Sequence, residues 1–438
     1  MDNLVLTVSS FDADGFSHTD HSNRLRLALP GERLRAAAAG DFFLPKEIIA
    51  AHPQRLAAPC PHYGRCGGCD LQHAAYTLQL ALKGQLLHNL LAASWDVQLR
   101  AAAANIPAVL PSPRRFGYRQ RLRLVVNRHG GLAFRGFRSH ETVAIRHCLL
   151  ARPEINTALA TVLASGDFRA AVLDVAEEVE FLLNPDKNQV DLLIRLTRPS
   201  RPAGRKQARH FLDAAPGLGR IFFYGEKFPL EPAICRDGDE QRGDEPLSLT
   251  YPPSPMLPEG ATLRWPVGGF SQVNIEQNQA LLQLVVSWAA PTRDDRALEL
   301  FCGAGNFSMP LARRARSLFG VEGQGAAIRQ ARDNARLAGL DNCRFEKADV
   351  HDFCRTLAAS GERFSLILLD PPRAGVPGLA DTIRRLCGGR LLLISCDPVS
   401  LVRDLSSFCQ AGFRLCALQP IDMFPQTHHL ETVALLEV

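Results

Sequence analysis

Cys396 closes the apolar run Leu391-Leu-Leu-Ile-Ser-Cys396, 26 positions after the acid of Asp370-Pro-Pro-Arg-Ala-Gly375. A thiol at one strand end, near an acidic second strand end, has the make-up of a nucleophilic site. The C-terminal run Met423-Phe-Pro-Gln-Thr-His-His-Leu-Glu431 adds a carboxylate, Glu431, and the imidazoles of His428 and His429.

These residues need strands and tight turns to bring them together. Arg296-Ala-Leu-Glu-Leu-Phe301 reads as a strand entering the turn Cys302-Gly-Ala-Gly-Asn306, and Ser317-Leu-Phe-Gly-Val321 as a strand ending at Glu322. Phe364 to Leu369 reaches Asp370, and Leu391 to Ile394 reaches Cys396. Helix-like stretches at Gly325 to Leu337 and Val376 to Leu386 lie between them. Strands alternating with helices imply a mainly parallel sheet, whose chemistry sits at the carboxyl ends of its strands.

Gly303 and Gly305 let a ligand approach the backbone closely, and Glu322 is placed to accept both ribose hydroxyls of a nucleoside. This geometry serves NAD as well as S-adenosylmethionine. The third glycine of a dinucleotide fingerprint is missing, and Asp370-Pro-Pro-Arg373 favours S-adenosylmethionine. Methylation at a pyrimidine C5 needs such neighbours. Thiolate addition to C6 makes C5 nucleophilic, and a base must then remove the C5 proton so that the thiol can leave.

In five motifs the chain resembles the class I S-adenosylmethionine-dependent RNA 5-methyluridine methyltransferases, over most of its length from Pro59 to Val438. The motifs are Phe270-Ser-Gln-Val-Asn274, Leu300-Phe-Cys-Gly-Ala-Gly-Asn306, Asp370-Pro-Pro-Arg-Ala-Gly375, Ser395-Cys-Asp-Pro398 and Phe424-Pro-Gln-Thr-His-His-Leu-Glu431. The resemblance implies Cys396 as nucleophile and Glu431 as base. It implies Gln272, Phe301, Gly303, Gly305, Asn306, Glu322, Asp349 and Asp370 at the cofactor or the reacting end of the pocket. Two departures stand out: Asp397 replaces the family's common Asn, with a charge expected to raise the thiol pKa, and Gln426 stands where His is frequent.

Cys60-x5-Cys66-x2-Cys69, with Cys148 as the natural fourth thiol, reads as an iron-sulfur or zinc site, since both favour four thiolates. The resemblance implies a [4Fe-4S] cluster. The other cysteines have no ligand spacing and read as small apolar residues. Residues 114 to 138 interleave arginines with aromatics. Arg119, Arg121 and Arg123 share one face of a strand, and Phe134 and Arg138 follow, a pattern suited to phosphates and unstacked bases. Arg198 to Lys206 is a second basic stretch.

The chain of 438 residues suggests about three domains on a prior of ~150 residues each. The expected segments are a small β-barrel resembling the TRAM module at 1–55, short of basic residues, a central α+β cysteine-cluster domain at 56–260, and a Rossmann-like catalytic domain at 261–438. A helix near 76–93 is expected to pack on the catalytic domain, and Pro252-Pro-Ser-Pro255 to be a linker. A net charge of +5 is mild, with only six lysines among 50 basic residues, so local clustering argues for nucleic acid more than the total does. No apolar run approaches the ~20 residues that span a bilayer. The N-terminus lacks a basic region followed by an apolar one, so a cytoplasmic protein is expected. A structured RNA partner is expected, 23S ribosomal RNA ahead of the transfer RNA T-loop, and the family resemblance implies a monomer. Two other readings compete. An amino-group methyltransferase would have an aromatic in place of Arg373 and no need of Cys396 or Glu431. A non-catalytic RNA-binding assembly factor would fit Asp397 and the depleted N-terminal module, but not the intact Cys396 and Glu431.

Overall fold

Phe364-Ser-Leu-Ile-Leu-Leu369 and Leu391-Leu-Leu-Ile394 are almost wholly buried, as continuous apolar strands inside a two-sided parallel sheet must be. The computed structural model describes residues 4–127, 131–236, 243–254, 258 and 260–438. The C-terminal sheet runs in the spatial order Cys343–Lys347, Ser317–Glu322, Arg296–Leu300, Phe364–Leu369, Cys387–Ser395, Glu431–Glu437, Arg414–Ile421. Its first five strands are parallel, and Glu431–Glu437 pairs antiparallel to both of its neighbours. Strand order reverses between Arg296–Leu300 and Phe364–Leu369, and ligands of open α/β sheets bind at such a switch point. The expected class I methyltransferase architecture is present.

Contacts divide the chain into two units. The first holds residues 1–63, 69–113 and 276–438. Besides the C-terminal sheet it contains a closed barrel of Leu4–Phe11, Ser17–Thr19, Arg24–Leu25, Phe42–Ala50 and Arg33–Ala39, so the N-terminal β-barrel is confirmed. The helix Tyr76–Ala92 packs on the catalytic sheet, Leu87 and Leu91 sharing one buried cluster with Leu393, Leu401 and Leu436.

The second unit, residues 64–68 and 114–275, is built on a sheet in the order Leu218–Tyr224, Gln189–Leu196, Ala176–Asn184, Arg121–Val126, Leu132–Arg135, Thr142–Ala144. This grouping is not the serial division read from the sequence. The expected linker instead joins two paired strands, Leu247–Tyr251 and Ala261–Trp265, with Tyr251 opposite Ala261. Pro255, part of that stretch, lies outside the described residues, as do Arg128 to Gly130 of the arginine-rich segment. Among the described residues no helix is long and apolar enough to cross a membrane.

Helix Tyr76–Ala92 carries an internal charge. Lys83 is 0% exposed, and its ammonium donates to Asp422 Oδ1 at 2.6 Å and to the Phe424 carbonyl at 3.1 Å. The Tyr76 hydroxyl donates to Asp422 Oδ2 at 2.8 Å and accepts from the Ser112 N–H at 2.8 Å. Burial lowers the Lys83 pKa, and Asp422 opposes that shift. A buried pair is weak evidence for stability as a whole, but losing one partner strands the other charge. Lys83→Met should therefore cost roughly 3–5 kcal/mol, seen as a lower urea midpoint, and Lys83→Met with Asp422→Leu should recover much of it.

Candidate active site at the carboxyl ends of the strands

The turn after Arg296–Leu300 is backbone-strained. Phe301 has φ 62°, followed by Gly303 at 54° and Gly305 at 93°. Positive φ suits glycine but costs a bulky residue, so Phe301 is held there by its surroundings. A Cβ on Gly303 would meet nothing within 4 Å, whereas one on Gly305 would come within 2.8 Å of Met309 Cε. Gly303 therefore borders open space, the room an adenosyl group needs, while Gly305 allows close turn–helix packing.

Glu322 closes the neighbouring strand and accepts the Gly303 N–H at 3.3 Å and the Gln324 N–H at 2.8 Å. Asn306 exchanges two amide hydrogen bonds of 3.0 Å with Asn278. Asp349 caps the helix Val350–Ala359, accepting the Asp352 N–H at 3.0 Å. Phe301, Glu322, Asp349 and Asp370 thus all follow carboxyl ends of the parallel strands. These residues and the glycine turn suit a nucleoside cofactor. Gln272 belongs to the second unit, where its carbonyl accepts from Gln120 Nε2 at 2.6 Å.

The antiparallel register ends with Ser395 paired to Thr432, so Cys396 and Glu431 are the chain neighbours of the last pair, close enough for the Glu431 charge to act on the thiol. Residues directly opposite in such a ladder have Cα atoms about 4.5–5.5 Å apart. Cys396 is partly exposed, whereas Glu431 is 3% exposed. Burial pushes the Cys396 thiol up to about 12, the charges of Glu431 and Asp370 adding to the rise and Arg373 opposing it. Burial, with Asp370, raises Glu431 to about 8, and burial raises Asp370 to about 7.

Asp397 has a structural role at the start of the next helix. Its carboxylate accepts the Ser400 N–H at 2.7 Å and caps the helix Pro398–Gln410, and the charges that raise Cys396 most are Glu431 and Asp370.

The loop leading to Glu431 is fastened from below. Gln426, at φ 72°, accepts from Gln79 Nε2 at 3.0 Å, its own N–H donates to Gln79 Oε1 at 3.0 Å, and its carbonyl accepts the Asp70 N–H at 3.0 Å. His428 Nδ1 lies 2.6 Å from Asp70 Oδ2, and Arg373 Nη2 donates to His429 Nε2 at 3.1 Å. From the barrel, Gly15 sits so close that a Cβ there would be 2.7 Å from His428 Nδ1. Sequence reasoning missed Gln79, Lys83, Asp70 and Asp422. Its available signal was Gln79 and Lys83, a polar pair four apart and so on one face of the helix.

Residues 260–438 match the family model described as tRNA (Uracil-5-)-methyltransferase. Over 400 residues the chain is 36% identical to a 23S rRNA (uracil(1939)-C(5))-methyltransferase, RlmD, of Pseudomonas putida, covering 90% of this chain and 82% of that protein. The chain belongs to the RNA uracil-C5 methyltransferase family. An Aeromonas hydrophila protein of the same name is 35% identical over 448 residues, covering 99% of this chain and 96% of that one. The fold matches the crystal structure of Pyrococcus abyssi tRNA (uracil-54, C5)-methyltransferase in complex with S-adenosyl-L-homocysteine. That likeness has a TM-score of 0.74 at 20% identity, over 99% of this chain and 100% of that one.

Other expected sites of this methyltransferase fare less evenly. Cys60 and Cys69 fall in the first unit, Cys66 and Cys148 in the second, and all four are partly exposed. Four thiols are the right donor chemistry for a cluster, but among the described residues no group of three or more His, Cys, Asp or Glu is placed to hold a metal ion. Arg121 is not free for phosphate. Its Nε and Nη2 form a fork with Glu180 at 2.6 and 2.9 Å, and Nη1 donates to the Gly269 carbonyl at 2.8 Å. Arg123 Nε shares Glu180 at 3.1 Å, though the side chain is 55% exposed. Phe134 packs against the core of the second unit instead of standing clear of it. Arg138 is exposed, its guanidinium 5.6 Å from the Phe137 ring centroid, and Arg119 is partly exposed.

Raised carboxyl pKa values set a direction for stability. Glu431 rises from 4.5 to about 8 and Asp370 from 3.8 to about 7, so between those limits the folded chain keeps protons that the unfolded chain has released. Their contribution is whole below about pH 4 and lost as pH rises through 7 and 8. Glu431→Gln stays neutral, so it should melt higher than the parent at about pH 8.5 and nearly level with it at about pH 4, compared by thermal denaturation.

Proposed function

We propose that the chain transfers a methyl group from S-adenosylmethionine to C5 of a uridine in 23S ribosomal RNA, the one equivalent to the uridine in its relatives' names, using Cys396 as nucleophile and Glu431 as base. The observation that carries this reading is a partly exposed thiol next to the last ladder pair that it shares with a buried carboxyl, at the carboxyl edge of the sheet that also carries Asp370 and the glycine turn. S-adenosylmethionine, held by Phe301, Gly303, Gly305, Asn306, Glu322, Asp349 and Asp370, supplies an electrophilic methyl group.

The uridine must be unstacked before its C6 can meet the thiol. The Cys396 thiolate adds to C6, and the ring's C5–C6 π electrons move to form an enolate. C5 uses that electron density to take the methyl group. Glu431 then accepts the C5 proton, the C–H pair restores the C5–C6 double bond, and the sulfur leaves with the electrons of its bond to C6. Arg373, held by its contact with His429, supplies a positive charge that draws the thiol pKa back down.

Cys60, Cys66, Cys69 and Cys148 are proposed as ligands of the [4Fe-4S] cluster that the family resemblance implies, with no role in the methyl transfer. Arg119, Arg123 and Arg138 are proposed to touch RNA. Arg121 serves instead to brace the segment that carries Gln272.

RNA bearing 5-fluorouridine at the target should form a covalent adduct in the presence of cofactor, because fluorine cannot leave as a proton, and Cys396→Ala should abolish it. Glu431→Gln should lower turnover by roughly 10²–10⁴-fold and let an adduct with ordinary RNA accumulate. Mapping 5-methyluridine in cells with and without the gene should show its loss from 23S RNA, and a loss confined to the transfer RNA T-loop would reassign the substrate. Protein purified anaerobically should carry about four irons per chain, and a zinc-only preparation would overturn the cluster.

A further inference from the structure

The second unit contains a cavity of about 410 Å³ lined by Val175, Pro199 and Ala203 and by the exposed Arg198, Arg201 and Asp174, together with the buried Val172, Leu196 and Phe223. This volume lies within the ~300–1,000 Å³ usual for small-ligand pockets. An apolar interior with a mainly cationic mouth matches a flat base joined to an anionic phosphate.

The mouth is held in shape. Glu231 accepts the Ser200 N–H and Arg205 Nη1, each at 2.9 Å, and also the Ser200 hydroxyl. Arg205 Nη2 donates to the Pro232 carbonyl at 2.9 Å. Glu231 is thus satisfied by Arg205, and the neighbouring arginines are left uncommitted. Among the described residues neither Arg198 nor Arg201 forms an ion pair or a side-chain hydrogen bond, and both are exposed. Arg121 and Arg123 differ in this respect, since Glu180 already offsets their charge. Free guanidinium groups on a fixed loop can bind phosphate without first breaking an internal pair.

We propose that this cavity is a second RNA-contact site, which takes one unstacked nucleotide of the substrate, its phosphate on Arg198 and Arg201 and its base against Val175, Pro199 and Ala203. Single-stranded nucleotides splayed from loops are the elements that proteins read in this way. The inference rests on the RNA methyltransferase reading above.

The test uses the full-length chain and a 23S RNA fragment containing the target uridine. Arg198→Ala with Arg201→Ala changes exposed side chains only. It should raise KM for the fragment roughly tenfold, leave kcat near the parent's, and reduce the slope of log affinity against log salt by about 1. Ala203→Trp, which fills the exposed mouth without altering charge, should raise KM with the slope kept. If the parent methylates the fragment and the double variant keeps both its KM and its slope, this site is overturned while the activity stands. If the cavity binds uridine monophosphate but the double substitution leaves RNA affinity unchanged, RNA is ruled out as its source of phosphate.

Discussion

The antiparallel insertion of Glu431–Glu437 between Cys387–Ser395 and Arg414–Ile421 is the constraint on which the active site depends. In an all-parallel sheet, carboxyl ends collect at one edge and amino ends at the other. Reversing one strand brings an amino end, that of Glu431, to the edge where Cys396 already stands. Because side chains alternate faces at every step, a slip of one residue would turn Glu431 away from the thiol. The register is secured by apolar residues on both strands, with Leu391 opposite Leu436 and Leu393 opposite Ala434, all fully buried.

This assembly places acids in a region that disfavours their charge. Asp370, Glu431 and Glu299 are raised to about 7, 8 and 8, chiefly by burial. The thiol rises with them, first through burial and then because a thiolate would add another anion beside Glu431 and Asp370. The resting site therefore favours neutral forms, and the acid–base work relies on groups whose proton affinity lies close to neutrality. The exposed Arg373 provides an opposing positive charge, fixed by the tight turn in which the Gly375 N–H donates to the Pro372 carbonyl at 2.8 Å.

Much of this was legible in the sequence where function and local structure coincide. Gly325–Leu337 is helical as read, and the strand before Asp370 begins and ends where its apolar run does. The stretch read as a helix from Val376 forms one only over Ala380–Leu386, because Gly378 takes φ 75° and interrupts the turn. Charge pairing was hidden. Arg121 and Arg123 follow the expected alternation with buried Leu122 and Leu124, but nothing in that pattern reveals Glu180 on the neighbouring strand. Contacts formed across hundreds of positions, such as Lys83 with Asp422, leave no periodic trace at either end.

Gly15 gives the N-terminal barrel a structural purpose that outlasts any loss of its own basic residues. By filling the space beside His428 and Asp70, the turn buttresses the segment that delivers Glu431. A barrel that no longer grips nucleic acid would still be retained, since excising it would unroof that segment, and a barrel transplanted from a relative would have to bring a side-chain-free residue at the same spot.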